Sequence, residues 1–160
     1  MDLDSVKRFL EGERVENDEE GKAKESKMAN LRHRFLEGFV TKGLKVDLIE
    51  PGRVVCSMKI PPHLLNAGNF LHGGATATLV DLLGSAAIYT TGVPHSGVSV
   101  EINVSYLDAA FLDEEIEIET KALRVGKTVA VVSVELRKKK NGKIIAQGRH
   151  TKYLAPRTKL

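Results

Sequence analysis

The sequence has no tryptophan, a single cysteine, and aromatic side chains at only 5% of its 160 residues. With Cys56 alone, no intrachain disulfide can form, so a packed core must hold the fold and an intracellular setting is expected. So few aromatics argue against a surface that stacks nucleic-acid bases, and no nucleic-acid partner is expected. No apolar run reaches the length of a membrane-spanning helix. The opening "MDLDSVKRFL" is acidic at once and lacks the apolar stretch of a secretory signal. Several catalytic signatures are also missing. The five histidines (His33, His63, His72, His95, His150) form no HxxxH or HExxH pair, and one cysteine cannot build a zinc cluster, so no metal site is expected. There is no phosphate-binding P-loop, no GxGxxG, and no GxSxG nucleophile elbow, which excludes an α/β-hydrolase mechanism.

The net charge of +3 is unevenly spread. Residues 1–27 carry nine acids and six bases, whereas residues 28–160 carry twelve acids and eighteen bases. A basic body suits a phosphate-bearing ligand, although a mixed solvated surface accounts for the same numbers.

The chain divides into an N-terminal part, residues 1–38, a compact domain, residues 39–155, and a tail, residues 156–160. Leu3, Val6, Phe9 and Leu10 recur at helical spacing, with Gly12 as a stop. "ERVENDEEGKAKESK" reads as a charged linker, and Met28, Leu31, Phe35 and Leu36 predict a second short helix ending at Gly38. "LKVDLIE" and "RVVCSMKI" alternate around a Pro-Gly turn, a strand pair in which Cys56 falls in phase with Val54, Met58 and Ile60 as a small core residue. A long loop, "PPHLLNAGNFLHGG", precedes a helix at about Ala75–Thr90 that is apolar nearly all round and so must be buried. Next comes strict alternation in "GVSVEINVSYL", with Val98, Val100, Ile102, Val104 and Tyr106 on one face and Ser99, Glu101, Asn103 and Ser105 on the other. Three more alternating strands follow, the last two joined by Asn141-Gly142, a strong hairpin signal. One helix cannot cover both faces of six strands. The pattern therefore predicts an α+β domain, a curved six-stranded antiparallel sheet wrapped around one central helix, with an N-terminal helical extension.

Asp81 stands out inside the apolar helix. A carboxylate there costs several kcal/mol unless it is paired or opens onto a polar cavity. No Lys or Arg lies within one turn of it, so its partners must come from elsewhere in the fold or from another subunit. Such an acid can serve as general base for water, worth about 10²–10⁴ in rate, or attack an acyl group directly. Upstream, Gly73 and Gly74 allow a ligand to approach the backbone, and the first helical amides are unpaired and electropositive. One such amide in an oxyanion site can be worth about 10²–10³.

These motifs together, "LNAGNFLHGGATATLVD" with "GVSVEINVSY" and "GKIIAQGRHTKYL", resemble the phenylacetate-type subgroup of the hotdog-fold acyl-CoA thioesterases over roughly Phe39–Leu154. The resemblance implies hydrolysis of acyl-CoA, medium- or long-chain fatty acyl groups first, to a free acid and CoA. It also implies a homodimer paired into a homotetramer, with the helix acid from one subunit and the loop glycine from the other. It assigns Asp81 as base, Ser99 as a hydroxyl holding the water, and the Gly73 N–H with Asn66 as carbonyl-polarising groups. His72 either orients Asn66, sits near the leaving sulfur, or caps the helix. The CoA groove is implied at Tyr106, Leu107, Asp108, Ala109, Ala110 and Phe111, and at Arg124, Val125, Gly126, Lys127, Thr128 and Val129. Glu101, Lys152 and Tyr153 complete it. No cofactor is implied, since CoA is part of the substrate. Two alternatives remain open: an aromatic acyl-CoA thioesterase of hydroxynaphthoyl or phenylacetyl type, and a non-catalytic acyl-CoA-binding module. A cytoplasmic location is expected, with Thr158-Lys159-Leu160 resembling a peroxisomal address.

Overall fold

The computed structural model describes residues 3–11, 35–94 and 97–154. The charged linker, residues 28–34 and the C-terminal tripeptide lie outside the described residues. Three α-helices are described, α1 (Leu3–Glu11), α2 (Phe35–Thr41) and α3 (Gly73–Tyr89), with one 3-10 turn at Pro62–Leu64. Six strands follow the expected order around α3: β1 (Lys45–Glu50), β2 (Arg53–Lys59), β3 (Val98–Tyr106), β4 (Glu115–Val125), β5 (Val129–Lys138) and β6 (Ile144–Tyr153). They form one antiparallel sheet in the order β1-β2-β4-β5-β6-β3. None of the described helices is long and apolar enough to cross a membrane.

The sheet curls around α3, whose apolar surface needs cover on every side. Ile116 and Ile118 of β4, and Ala130, Val132, Val134 and Leu136 of β5, line the inner face and are fully buried against Leu79, Leu83 and Ile88 of the helix. Cys56 is buried with Val54 and Met58 on β2, as its phase predicted. The β5–β6 hairpin turns at Asn141-Gly142, where Gly142 takes the positive φ of 71° that glycine adopts without strain. The "RKKK" run leading into it is largely paired: Arg137 meets Glu119 and Glu135, Lys138 meets Glu114, and Lys139 meets Glu115.

Three local expectations are corrected. The second helix does not stop at Gly38 but continues to Thr41, and this last turn buries Val40 in the core. The central helix starts at Gly73, two residues early, because His72 caps it: its Nδ1 accepts from the Gly74 N–H at 2.8 Å. The alternation in β3 is interrupted. Ser99 pairs with Lys152, yet Glu101 pairs with Thr151, so Val100 is an extra residue in a β-bulge. The bulge shifts the period by one. Ser99 shares the helix-facing side with Ile102 and Val104, while Val98 turns outward opposite the exposed Tyr153.

The N-terminal helix joins the same core. Val6 and Leu10, four residues apart on one face of α1, are buried where that helix packs on β1 and α3. Leu10→Ala is therefore expected to lower the unfolding free energy by about 2–4 kcal/mol. Urea unfolding of the full chain checks this. A midpoint equal to wild type would mean that α1 contributes no burial in solution.

Candidate active site

The site is built where α3 crosses the β3–β6 edge of the sheet. Asp81 lies on the third turn of α3, and its carboxyl is 43% exposed on the single chain. As an acid in an apolar helix requires, it opens outward and is paired: it looks out between α3 and β3, the edge strand, not into the core. Its partners come from other strands, as the lack of a local base required. The Ser99 hydroxyl donates to Asp81 Oδ1 at 3.2 Å, and His150 Nε2 lies 2.9 Å from Ser99 Oγ and 3.4 Å from Asp81 Oδ1. Ser99 reaches the acid only because of the β3 bulge.

His150 is wholly buried, and its Nδ1 has no hydrogen-bond partner among the described residues. That nitrogen faces the helix at Gly84. A Cβ built there would stand 2.8 Å from it and 2.9 Å from Val132 Cγ2, so only glycine lets β6 and α3 come this close. An N–H aimed at that wall would be unsatisfied, which selects the neutral tautomer protonated on Nε2. Nε2–H then donates to Ser99 Oγ, and Ser99 Oγ–H donates to Asp81. Burial pulls the His150 pKa below its usual value, opposed by the Asp81 charge and aided by Lys152.

Lys152, expected in the CoA groove, is instead turned inward from β6 and buried. Its Nζ donates to Ser85 Oγ at 2.6 Å, and Ser85 in turn donates to the Asp81 backbone carbonyl at 2.9 Å. The pairing of β6 dictates this: Ala146, Gly148, His150 and Lys152 share the face that meets α3.

The N-terminal end of α3 carries the remaining expected groups. Gly73 is the first helical residue, so its amide has no acceptor within the helix. The Tyr106 hydroxyl donates to the Gly73 carbonyl at 3.0 Å, and a Cβ on Gly73 would meet the Tyr106 ring at 3.3 Å. Beside it opens a cavity of about 210 Å³ lined by Phe70, Leu71, Gly73, Tyr106, Ala110 and Ile145, among others. Asn66 Oδ1 accepts from the Gly68 and Phe70 amides, at 2.9 and 3.3 Å, which orients its Nδ2 end as the remaining donor. His72 is occupied as the helix cap and makes no bond to Asn66.

The expected groove residues fall into two groups. Tyr106, Asp108 and Ala110 line the cavity, Leu107 and Phe111 are exposed beside it, and Ala109 is half-buried. Arg124, Lys127, Thr128 and Val129 are exposed on the β4–β5 hairpin, with Val125 and Gly126 half-buried, at the opposite end of β3 next to Tyr153. Glu101 faces outward beside Thr151. Across the nine residues of β3 these ends are about 27 Å apart. Gly73 and Asp81, eight residues apart on one helix, are separated by about 12 Å along its axis. One chain therefore brings Asp81, Ser99, His150 and Lys152 together, and separately Gly73 and Tyr106, with Asn66 in the loop that leads to Gly73, but does not bring the two sets together. No group of three or more His, Cys, Asp or Glu that could hold a metal occurs among the described residues.

The neutral state of His150 has a consequence for stability. Its pKa is lowered on folding, so the unfolded chain binds the proton more readily. The contribution is complete above the unfolded value of about 6.5 and is lost as pH falls below it. The unfolding free energy of wild type should fall between pH 7.5 and 5.5, by at most about 1.4 kcal/mol per pH unit for this proton. The lowered carboxyls of Asp108, Glu114 and Glu119 act in a separate, more acidic window. Urea titrations of wild type and His150→Gln over this range test it, and equal slopes would contradict the assignment.

The same arrangement of helix, loop and strands occurs in known proteins. Residues 68–145 match the Thioesterase superfamily model. Human acyl-coenzyme A thioesterase 13 is 47% identical over 112 residues, 69% of this chain and 80% of that protein. The structure of zebra fish thioesterase superfamily member 2 superposes with a TM-score of 0.77 at 38% identity, covering 97% of this chain and 99% of that one. Mouse thioesterase superfamily member 2 superposes with a TM-score of 0.70 at 40% identity, covering 82% and 100%. With that degree of identity over most of the relatives' length, and the six-stranded sheet curled around one helix, the chain is a hotdog-fold member of the thioesterase superfamily.

Proposed function

We propose that this protein hydrolyses acyl-CoA thioesters to a free acid and CoA, with medium- or long-chain fatty acyl groups as the substrates. The observation that carries the reading is the convergence of Ser99 and His150 on the Asp81 carboxylate. In that arrangement Asp81 takes the proton from a water that Ser99 helps to hold, and the Gly73 N–H with Asn66 Nδ2 receives the charge on the thioester oxygen. The geometry favours hydrolysis over simple binding. A binder has no use for two donors aligned behind a half-exposed acid.

Two such active sites require two chains. The 12 Å between Gly73 and Asp81 is too far for both to touch one carbonyl group and its attacking water. β3 is an open edge whose Val98 and Val100 are 64% and 65% exposed, an arrangement suited to pairing with another copy. Antiparallel β3–β3 pairing would set the Tyr106 end of one chain against the Ser99 end of the other. It would likewise join the segment 106–111 of one chain to the hairpin 124–129 of the other around one CoA. Pairing of such dimers into a homotetramer is part of the same proposal.

Two inactive variants test this together. Asp81→Asn removes the base. Gly73→Pro removes the amide hydrogen at the first helical position, where the backbone tolerates proline and the Tyr106 ring must shift slightly to admit its Cβ. Each alone is expected to lose at least about 100-fold in thiol release from fatty acyl-CoAs. A heterodimer of the two, isolated with distinct affinity tags, should regain about half of wild-type activity, because one of its two sites is intact. Recovery of nothing would refute the shared site, and full activity of Asp81→Asn would refute the base. Aromatic acyl-CoAs in the same assay distinguish the substrate classes.

A further inference from the structure

Lys152 is a buried cation that the proposed chemistry does not use. Lysine is seldom buried without a purpose-built partner, and here the partner is a neutral hydroxyl, Ser85 Oγ, at 2.6 Å. Ser85 is one turn beyond Asp81 and is itself fixed to the Asp81 carbonyl. Lys152 also sits directly opposite Ser99 in the β3–β6 ladder and two residues from His150 on the same face. The ammonium is thus held within the layer that contains the acid, the hydroxyl and the imidazole, without occupying the acid's hydrogen-bonding positions.

We propose that Lys152 is a positioning residue for the Asp81 site: its ammonium, anchored on Ser85, adds to the burial of the neighbouring His150 imidazole in holding it neutral, so that Asp81 is not captured in an imidazolium–carboxylate pair. The alternative state is close at hand. His150 Nε2 is already 3.4 Å from Asp81 Oδ1, so a second proton on the ring would convert a hydrogen-bond relay into an ion pair. That pair would neutralise the base and place an unsatisfied N–H against Gly84. A nearby fixed positive charge opposes the second proton. It also balances the carboxylate without touching it, leaving Asp81 open to water.

The charged and titratable groups around His150 are few. From α3, Asp81 faces it, with Tyr89 acting on Lys152. From β6 the neighbour is Lys152, and from β3 it is the uncharged Ser99 and Ile102, Glu101 being turned to the outer face. From β5 the facing residues are Ala130 and Val132. Burial lowers the Lys152 pKa, opposed by the Asp81 charge.

The proposal rests on the reading of Asp81 as the base, and its test separates the two. The imidazole of His150 is titrated by NMR in the substrate-free full-length protein, and kcat/KM on a medium-chain acyl-CoA is measured from pH 6 to 9. In Lys152→Met the His150 midpoint is expected to rise by about 0.5–1 pH unit, the size of one charge acting across a partly solvated site. The loss in kcat/KM should be about 5–10-fold near pH 6.5 and shrink to under about twofold near pH 8.5. Lys152→Arg, which keeps the charge, should restore the wild-type midpoint. An unmoved midpoint in the folded Met variant, or a loss equal at every pH, overturns the proposal. If Lys152→Met does not fold, Ser85→Ala releases the ammonium instead. A smaller shift in the same direction supports the proposal, and no shift overturns it. An Asp81→Asn variant with full activity would overturn the base reading alone, while the imidazole titration still judges Lys152.

Discussion

The site depends on one contact, the seam where α3 lies against β6 and β3. An apolar helix inside a curled sheet leaves little room for polar groups, and each one placed there must find its hydrogen bonds across the seam. Gly84 makes the approach possible by giving up its side chain to the His150 ring. Once His150 is in place, its single donor reaches Ser99, and Ser99 reaches Asp81. Remove the close approach and the imidazole loses its tautomer, the hydroxyl its direction, and the carboxylate its fixed partner.

The bulge at Val100 has two effects of opposite kind. Inward, it delivers Ser99 to the acid. Outward, it leaves Val98 and Val100 exposed on an edge strand that contains no proline to guard against pairing. A single extra residue thus connects the chemistry of the site to the surface on which a second chain would dock. The distances along α3 and β3 point the same way, since the two halves of the site lie about two turns apart on α3 and at opposite ends of β3.

Much of the fold was legible because burial and period agreed. Ile116 and Ile118, and Ala130 to Leu136, alternate without interruption, and each inward residue is buried. Asp81 was legible as an anomaly, and the absence of a nearby base correctly sent its partners elsewhere. The bulge was not legible: Val98, Val100 and Ile102 alternate perfectly in sequence, and only pairing with β6 reveals the extra residue. Lys152 was expected in the CoA groove, and His150 was given no part in the site. The in-phase Ala146 and Gly148, small residues on the same face, were the available sign that this side of β6 meets the helix. The burial of Val6 and Leu10 depends on a surface distant in sequence, which local periodicity does not describe.

The most direct measurement is a crystal structure with a non-hydrolysable ketone analogue of a fatty acyl-CoA. The account predicts the ketone oxygen within hydrogen-bond distance of the Gly73 amide, and an ordered water between that carbonyl and the Asp81 and Ser99 side chains of the other chain. A ketone bound away from Gly73, or one whose reacting face is turned from Asp81, would contradict it.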